Sequence, residues 1–426
     1  MATRHAQART ATESADAAAG AGGDTARAAL LFAAVFFFAT LMMRGPVTSI
    51  GPVAEAIRAT FGASYADYGI LTAIPIAAFG FFSFFSPQIA EKLGLRRAVG
   101  AALAVLAAGA LLRTAASLMA HWPAMLAATV FVGAGIALLN VYMTVVVKVN
   151  WPHKLGTMMG IYTGVIGLSG AVGGLTAAPF AEYFDTVAAT MGFWAALSFS
   201  AAALWYGFSQ VGDVLRAQRP AAGASARKVE REPLAALACK PMAWALTGVM
   251  GLQSLLIYTV SAWLPPYWAS LGMSAQTTGV WLFVYLVSGL PASVFTARFM
   301  TLVKSDALAV TLLSAAYLAG LAGWIWGAEH AWAMLPGSVL AGASQGAMLS
   351  VAFLLMSKKS ASDGQMLGIS SLAQGVGYLG AGFGPVLFGA LFEGFSSWMP
   401  AFAFVALVIV FWGVSGVLAS LKKTID

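Results

Sequence analysis

The chain is a succession of long apolar runs separated by short turns that carry charges or Gly/Pro clusters. Runs of spanning length lie near residues 28–50, 65–90, 98–119, 123–147, 156–181, 188–211, 240–266, 276–297, 306–327, 332–356, 364–392 and 398–420. About 20 mostly apolar residues suffice to cross a bilayer as a helix. The pattern therefore predicts an all-α membrane protein with twelve transmembrane helices. Composition agrees: 60% of the residues are hydrophobic and 9% charged, against about 25% charged in a soluble domain.

Charge adds the orientation. With the N-terminus placed in the cytoplasm, all but three of the 23 lysines and arginines fall on the inner side, the exceptions being Arg44, Arg58 and Arg113. This asymmetry is the positive-inside rule, and it predicts an even number of spans with both termini cytoplasmic. The net charge of +7 then reflects contact with an anionic inner leaflet. Residues 1–27 read as a disordered cytoplasmic tail, because the first apolar run begins too far along for a signal peptide.

The longest loop, 213–239, contains "RAQRPAAGASARKVEREP" and divides the spans six and six. The halves repeat. The fifth run opens "GTMMGIYTGVIGLSGAVGG" and the eleventh "GQMLGISSLAQGVGYLGAG". Gly156, Met158, Gly160, Ile161, Gly167 and Gly174 meet identical residues 208 positions on. Two homologous bundles are expected, 28–212 and 240–421, joined by the 213–239 linker and followed by a short tail, 422–426.

Several chemistries have no support. The single cysteine, Cys239, excludes an intramolecular disulfide or a thiolate metal cluster, and the four histidines are scattered. Nothing resembles a phosphate-binding loop. No enzyme activity, cofactor, metal or nucleic-acid partner is expected. The expected partners are a small solute and the bilayer, and the expected state is a monomer.

The loop "PQIAEKLGLRRAVG", Pro87 to Gly100, resembles the signature between helices 2 and 3 of the major facilitator superfamily. Glu91, Lys92, Gly94, Arg96 and Arg97 fit it, with Pro87 in place of the leading glycine and Glu91 in place of the usual aspartate. The second-half loop, "TARFMTLVKSD", keeps Arg298 and Lys304. Within the superfamily, "LTAIPIAAFG", "MRGPVTSIGPV", "GIALLNVYMTVVVK" and "GLQSLLIYTVSAWLPPYWASLGMS" are similar to the cyanate and nitroimidazole transporters. The resemblance implies two pseudo-symmetric six-helix bundles that rock about a midplane site, with helix 1 lining the cavity. It also implies import, and a bacterial cytoplasmic (inner) membrane as the location.

Candidate residues follow. Arg44 lies about 24 Å into the first run at 1.5 Å per residue, between the midplane and the outer interface, ahead of Gly45 and Pro46. It either snorkels outward or faces the cavity as a counter-ion for a substrate. Gln253 and Tyr258 precede a Pro265–Pro266 break in the seventh run, and both suit a cavity wall. Trp263 is read as wall or interfacial belt, and Trp268 as belt. Asn140 and Gln345 are ligand contacts or interhelical bonds. Tyr162, Gln374 and Tyr378 form a further polar set. Arg113 reads as an interface anchor. Glu91, Lys92, Arg96 and Arg97 read as a cytoplasmic latch that gates the cavity. No Asp or Glu falls in the middle of a run: Asp306 opens the ninth, and Glu55 and Asp67 are assigned to the first outer loop. The expected function is a secondary active or facilitative transporter importing a small planar polar or anionic solute: cyanate-like, nitroimidazole-like or a small organic anion. The alternatives are a multidrug or metabolite exporter and, remotely, a receptor. The exporters' usual Gly-Pro pair in helix 5 is absent, since Ala178 precedes Pro179.

Overall fold

The computed structural model describes residues 27–151, 154–210 and 234–421. Residues 1–26, most of the linker and the tail 422–426 lie outside the described residues. Among the described residues, twelve elements are long and apolar enough to span. They are α1 (Arg27–Phe61), α2 (Tyr65–Ser83), α3 (Leu95–Leu118), α4 (Trp122–Asn150), α5 (Leu155–Tyr183) and α6 (Val187–Phe208) in the first half. The second half has α7 (Pro241–Ser270), α8 (Ala275–Val303), α9 (Asp306–Gly327), α10 (Met334–Lys359), α11 (Asp363–Ala381 continuing as Phe383–Phe395) and α12 (Trp398–Leu421). The last residues read as linker, Leu234–Ala238, form a short helix. The start of α1 and the end of α12 share one face, called here the near face.

The packing repeats across the halves. In the first bundle α3 packs on α4 and α6, α2 on α4, and α1 on α5. In the second α9 packs on α10 and α12, α8 on α10, and α7 on α11. The bundles meet through α5 on α8 and, symmetrically, α2 on α11. With lipid as apolar as leucine, helices in a bilayer associate by close packing rather than by hydrophobic burial. Glycine provides it: a Cβ at Gly346 of α10 would overlap the backbone of Gly289 on α8.

Three local expectations change. α1 does not end at residue 50. It passes a 3-10 turn at Gly51–Val53 and continues as Ala54–Phe61, so Glu55 and Arg58 lie on helix and form an i,i+3 ion pair at 2.7 Å. The connection shrinks to Gly62–Ser64, and Asp67 completes a capping box with Ser64 in the first turn of α2. Nor does the Pro265–Pro266 pair break α7, which stays helical to Ser270. Proline at i removes the donor to the carbonyl of i−4, which frees the Ser261 and Ala262 oxygens. Tyr68 Oη of α2 donates to the Ala262 oxygen at 3.0 Å, and Gly51 of α1 lies against the Ser261 oxygen. Because α7 continues, Trp268 is fully buried beside Trp281 and Trp324 and is no belt residue.

At the far face the bundles are joined. Besides the Tyr68–Ala262 bond, Glu393 of α11 accepts from the Ala66 N–H of α2 at 2.9 Å. Gln276 of α8 donates to Glu182 of α5. At the near face they part. α4 and α5 do not pack extensively on α10 and α11 among the described residues, and Gly160 and Gly164 of α5 face open space.

The packing sets a stability contrast. Gly346→Ala should lower stability by about 1–3 kcal/mol through overpacking. Gly160→Ala should raise it by up to about 1 kcal/mol through helix propensity alone. Thermal unfolding of the two detergent-purified variants checks this.

Candidate functional site

The site forms around a break in α1. Pro46 has no N–H, and its ring conflicts with the carbonyl four residues before it. The α-helical ladder stops at Leu41, and Met42 and Met43 make i−3 bonds to Ala39 and Thr40. Arg44 has φ −131° and ψ −37°, outside the helix, and a new segment starts at Gly45. Backbone groups freed inside a membrane protein need partners from neighbouring helices, and here α5 and α3 provide them. Ser169 Oγ of α5 accepts from Gly45 N at 2.9 Å and Arg44 N at 3.2 Å and donates to the Leu41 oxygen. Thr48 Oγ1 donates to the Gly170 oxygen at 2.8 Å. Beyond the break, Ile50 N bonds Val47 and leaves the Pro46 oxygen open. Arg113 Nη1 of α3 donates to it at 2.9 Å. Arg113 is only 3% exposed, so it is an internal strut and not an interface anchor. The expectation failed because the carbonyl it serves exists only once α1 is broken.

With α1 running to Phe61, Arg44 sits at the middle of that element rather than toward its outer end. Its guanidinium carbon lies 4.8 Å from the Tyr258 ring centroid and 5.8 Å from that of Phe79. Phe79 touches both Tyr258, at 5.7 Å between centroids, and Tyr378, at 5.9 Å. Tyr162 and Tyr378 also lie close to the guanidinium. Tyr162 is buried, its hydroxyl 3.8 Å from Met43 Sδ. Helices from both bundles thus converge on one cation: α1, α2 and α5 from the first, α7 and α11 from the second. Among the described residues no carboxylate pairs with it. The Tyr258 hydroxyl and the Asn140 amide nitrogen on α4 are buried and have no hydrogen-bond partner.

The other candidates are placed elsewhere. Gln253 is buried and occupied. Its Nε2 donates to Ser254 Oγ at 2.7 Å, and its backbone and side-chain oxygens accept from Gln345 Nε2 at 3.1 and 3.3 Å. The pair ties α7 to α10 and leaves Gln345 Oε1 unpartnered. Trp263 is fully buried in the far-face packing, where its Nε1 donates to the Pro385 oxygen at 2.9 Å and its ring stacks on Phe388. It is not brought to Arg44. Gln374 is half-buried one turn before Tyr378. At the near face Glu91, Lys92 and Arg97 are exposed, and Glu91 makes no ion pair with a described residue. The Arg96 carbonyl accepts from Trp205 Nε1 at 2.9 Å. Two contributors escaped the sequence reading. Phe79 looks like any lipid-facing phenylalanine. Ser169 is the only hydroxyl between Gly164 and Leu175, a faint signal whose meaning depends on the break it faces.

The Major Facilitator Superfamily model matches residues 31–379. An uncharacterized transporter of Bacillus subtilis, YycB, is 30% identical over 88% of this chain and 89% of its own. The 2-nitroimidazole transporter of Escherichia coli is 27% identical over 93% and 96%. The cyanate transport protein CynX of the same organism is 26% identical over 87% and 92%. The crystal structure of a D-xylose–proton symporter superposes with a TM-score of 0.69 at 14% identity, covering 93% of this chain and 98% of that one. Twelve apolar helices in two pseudo-symmetric bundles, the match across most of the chain and these relatives agree: the chain belongs to the major facilitator superfamily and, within it, resembles the cyanate and nitroimidazole transporters.

Proposed function

We propose that this protein carries a small planar, polar or anionic solute inward across the bacterial cytoplasmic membrane. The bundles 28–212 and 240–421 rock about Arg44, and the near face, rich in lysine and arginine, is cytoplasmic. One observation carries the reading: a mid-span guanidinium, flanked by aromatic rings from both bundles, with no carboxylate to neutralise it among the described residues. A cation over one ring gains about 0.5–2 kcal/mol. Placing arginine at mid-membrane costs roughly 2.5–3.5 kcal/mol on insertion scales. The rings engage its faces, while its hydrogen-bonding edge suits an oxyanion, a nitro group or a cyanate-like end. The unpartnered Asn140 Nδ2 and Tyr258 Oη are further donors, and Tyr162, Tyr378 and Phe79 shape the walls. Relatives named for 2-nitroimidazole and cyanate accord with such a ligand. Gln253 acts through Gln345, Gln374 extends the α11 wall, and Trp263 belongs to the outer closure.

Arg44→Ala should remove binding of cyanate, nitrate or 2-nitroimidazole, whichever stabilises the wild type most, with a loss of about 2–5 kcal/mol. Arg44→Lys keeps the charge without the planar fork and should bind weakly. Isothermal calorimetry on folded protein decides. Normal affinity in Arg44→Ala would remove the reading.

With no carboxylate at mid-span, uptake of a permanently charged solute should survive a protonophore in vesicles once membrane potential is clamped. Strictly proton-driven accumulation would contradict this.

The gating residues Glu91, Lys92, Arg96 and Arg97 should hold the cytoplasmic side shut only when the cavity opens outward. Glu91→Ala should then raise labelling of a cysteine placed at Gly164. Unchanged labelling and uptake would exclude the latch.

A further inference from the structure

We infer that Ser169 is a positioning residue for Arg44: its hydroxyl, inserted into the broken hydrogen-bond ladder of α1, sets the backbone turn that aims the guanidinium at the solute. The inference rests on the proposed role of Arg44 and adds to it a residue on a different helix that touches no solute.

In an unbroken helix Gly45 N–H would bond the Leu41 carbonyl directly. Here the Ser169 hydroxyl stands between them. It accepts from Gly45 N at 2.9 Å and donates to the Leu41 oxygen, and a second acceptor site takes Arg44 N at 3.2 Å. One donor and two acceptor sites are all that a hydroxyl has, so Ser169 is used completely, at full burial. The three groups it holds belong to the residues that turn the chain at Arg44. The next segment is held separately, by Arg113 on the Pro46 oxygen and Thr48 on the Gly170 oxygen. Removing the hydroxyl therefore releases the Arg44 end of the break and leaves the Pro46 end anchored. Pro46 prevents the segment from recovering a straight helix. Without Ser169 the Arg44 and Gly45 N–H groups lose the acceptor that accompanies the φ of −131° at Arg44, while the Arg44 carbonyl keeps its bonds from Val47 N, Thr48 N and Thr48 Oγ1 on the far side of the turn.

Fit at this point matters because the guanidinium is confined by the Tyr258 and Phe79 rings and meets a ligand through its edge. Misplacing a positioned group by an ångström costs binding and function steeply. Ser169 also adjoins Gly170, which packs against Leu286 of α8. The residue that sets Arg44 therefore stands one step round α5 from the Gly167–Gly170–Gly174 face that meets the opposite bundle.

The test measures affinity by calorimetry with whichever of cyanate, nitrate, formate or 2-nitroimidazole binds the wild type most tightly. Ser169→Ala should weaken binding on the order of tenfold or more, and Ser169→Thr, which keeps the hydroxyl, should restore most of it. Ser198→Ala removes another fully buried serine hydroxyl, one without a partner, and should bind as wild type. In the double variant with Arg44→Ala, Ser169→Ala should add nothing, because its effect runs through Arg44. Wild-type affinity in Ser169→Ala beside lost affinity in Arg44→Ala overturns the inference and leaves the Arg44 reading intact. Wild-type affinity in both overturns both. Loss of affinity in Ser169→Ala, Ser169→Thr and Ser198→Ala alike overturns the inference by showing a general packing effect. If Ser169→Ala does not fold, weak binding by a monodisperse Ser169→Cys, which keeps the size with poorer hydrogen bonding, supports it, and wild-type binding there overturns it.

Discussion

Pro46 cannot continue the helix that contains it, and much of the first bundle answers that constraint. In water the freed carbonyls and N–H groups would be solvated. In the membrane they need protein partners. Ser169 of α5 and Arg113 of α3 reach the freed groups of α1, and Thr48 within α1 donates both to the Arg44 oxygen and to the Gly170 oxygen of α5. Gly45 is small because the Trp194 ring of α6 occupies the place where its Cβ would stand. The break turns Arg44 out of the helical register and into the space shared with Tyr258 and Phe79.

The same physics closes the far face. Pro265 and Pro266 free two carbonyls of α7, and one of them becomes the acceptor for Tyr68 of the opposite bundle. Buried unpaired carbonyls cost roughly 1–3 kcal/mol each, so separating the bundles at this face exposes groups that then need water. Opening there is linked to wetting, while Glu182–Gln276 and Glu393–Ala66 lie nearer the rim and exchange easily with solvent. The near face lacks comparable cross-bundle bonds among the described residues, which gives the structure its polarity: joined at one side and parted at the other.

Between these ends, the bundles touch along glycine and leucine. Leu282, Leu286 and Leu290 of α8 lie against Gly174, Gly170 and Gly167 of α5. Such contacts are close but carry no hydrogen bonds of their own, so the helices can tilt against each other without leaving polar groups unpaired. Arg44 lies beside this seam and is surrounded by rings from both bundles. Its environment therefore differs whenever they move, as the proposed solute site coupled to rocking needs.

The spans, their number, the two-bundle repeat and the unusual standing of Arg44 were legible in the sequence, because bilayer thickness and the cost of buried charge act on residue type and run length alone. The aromatic partners Tyr162, Tyr258 and Tyr378 could be named as polar groups in apolar runs, though not as one cluster. Other features had no one-dimensional signature. Arg113 near the end of an apolar run looks the same whether it snorkels or serves a carbonyl inside the bundle. Gln253 looks the same whether it meets a ligand or Gln345, and Trp263 and Trp268 depend on α7 surviving its two prolines. Ser169 has a role only because a broken ladder lies opposite. Sequence by itself determined which groups must not be left unsatisfied in the membrane. Tertiary structure alone decided which partner satisfies each, because hydrogen bonds and ring contacts between helices depend on relative rotation and depth, and apolar runs of similar length do not encode either.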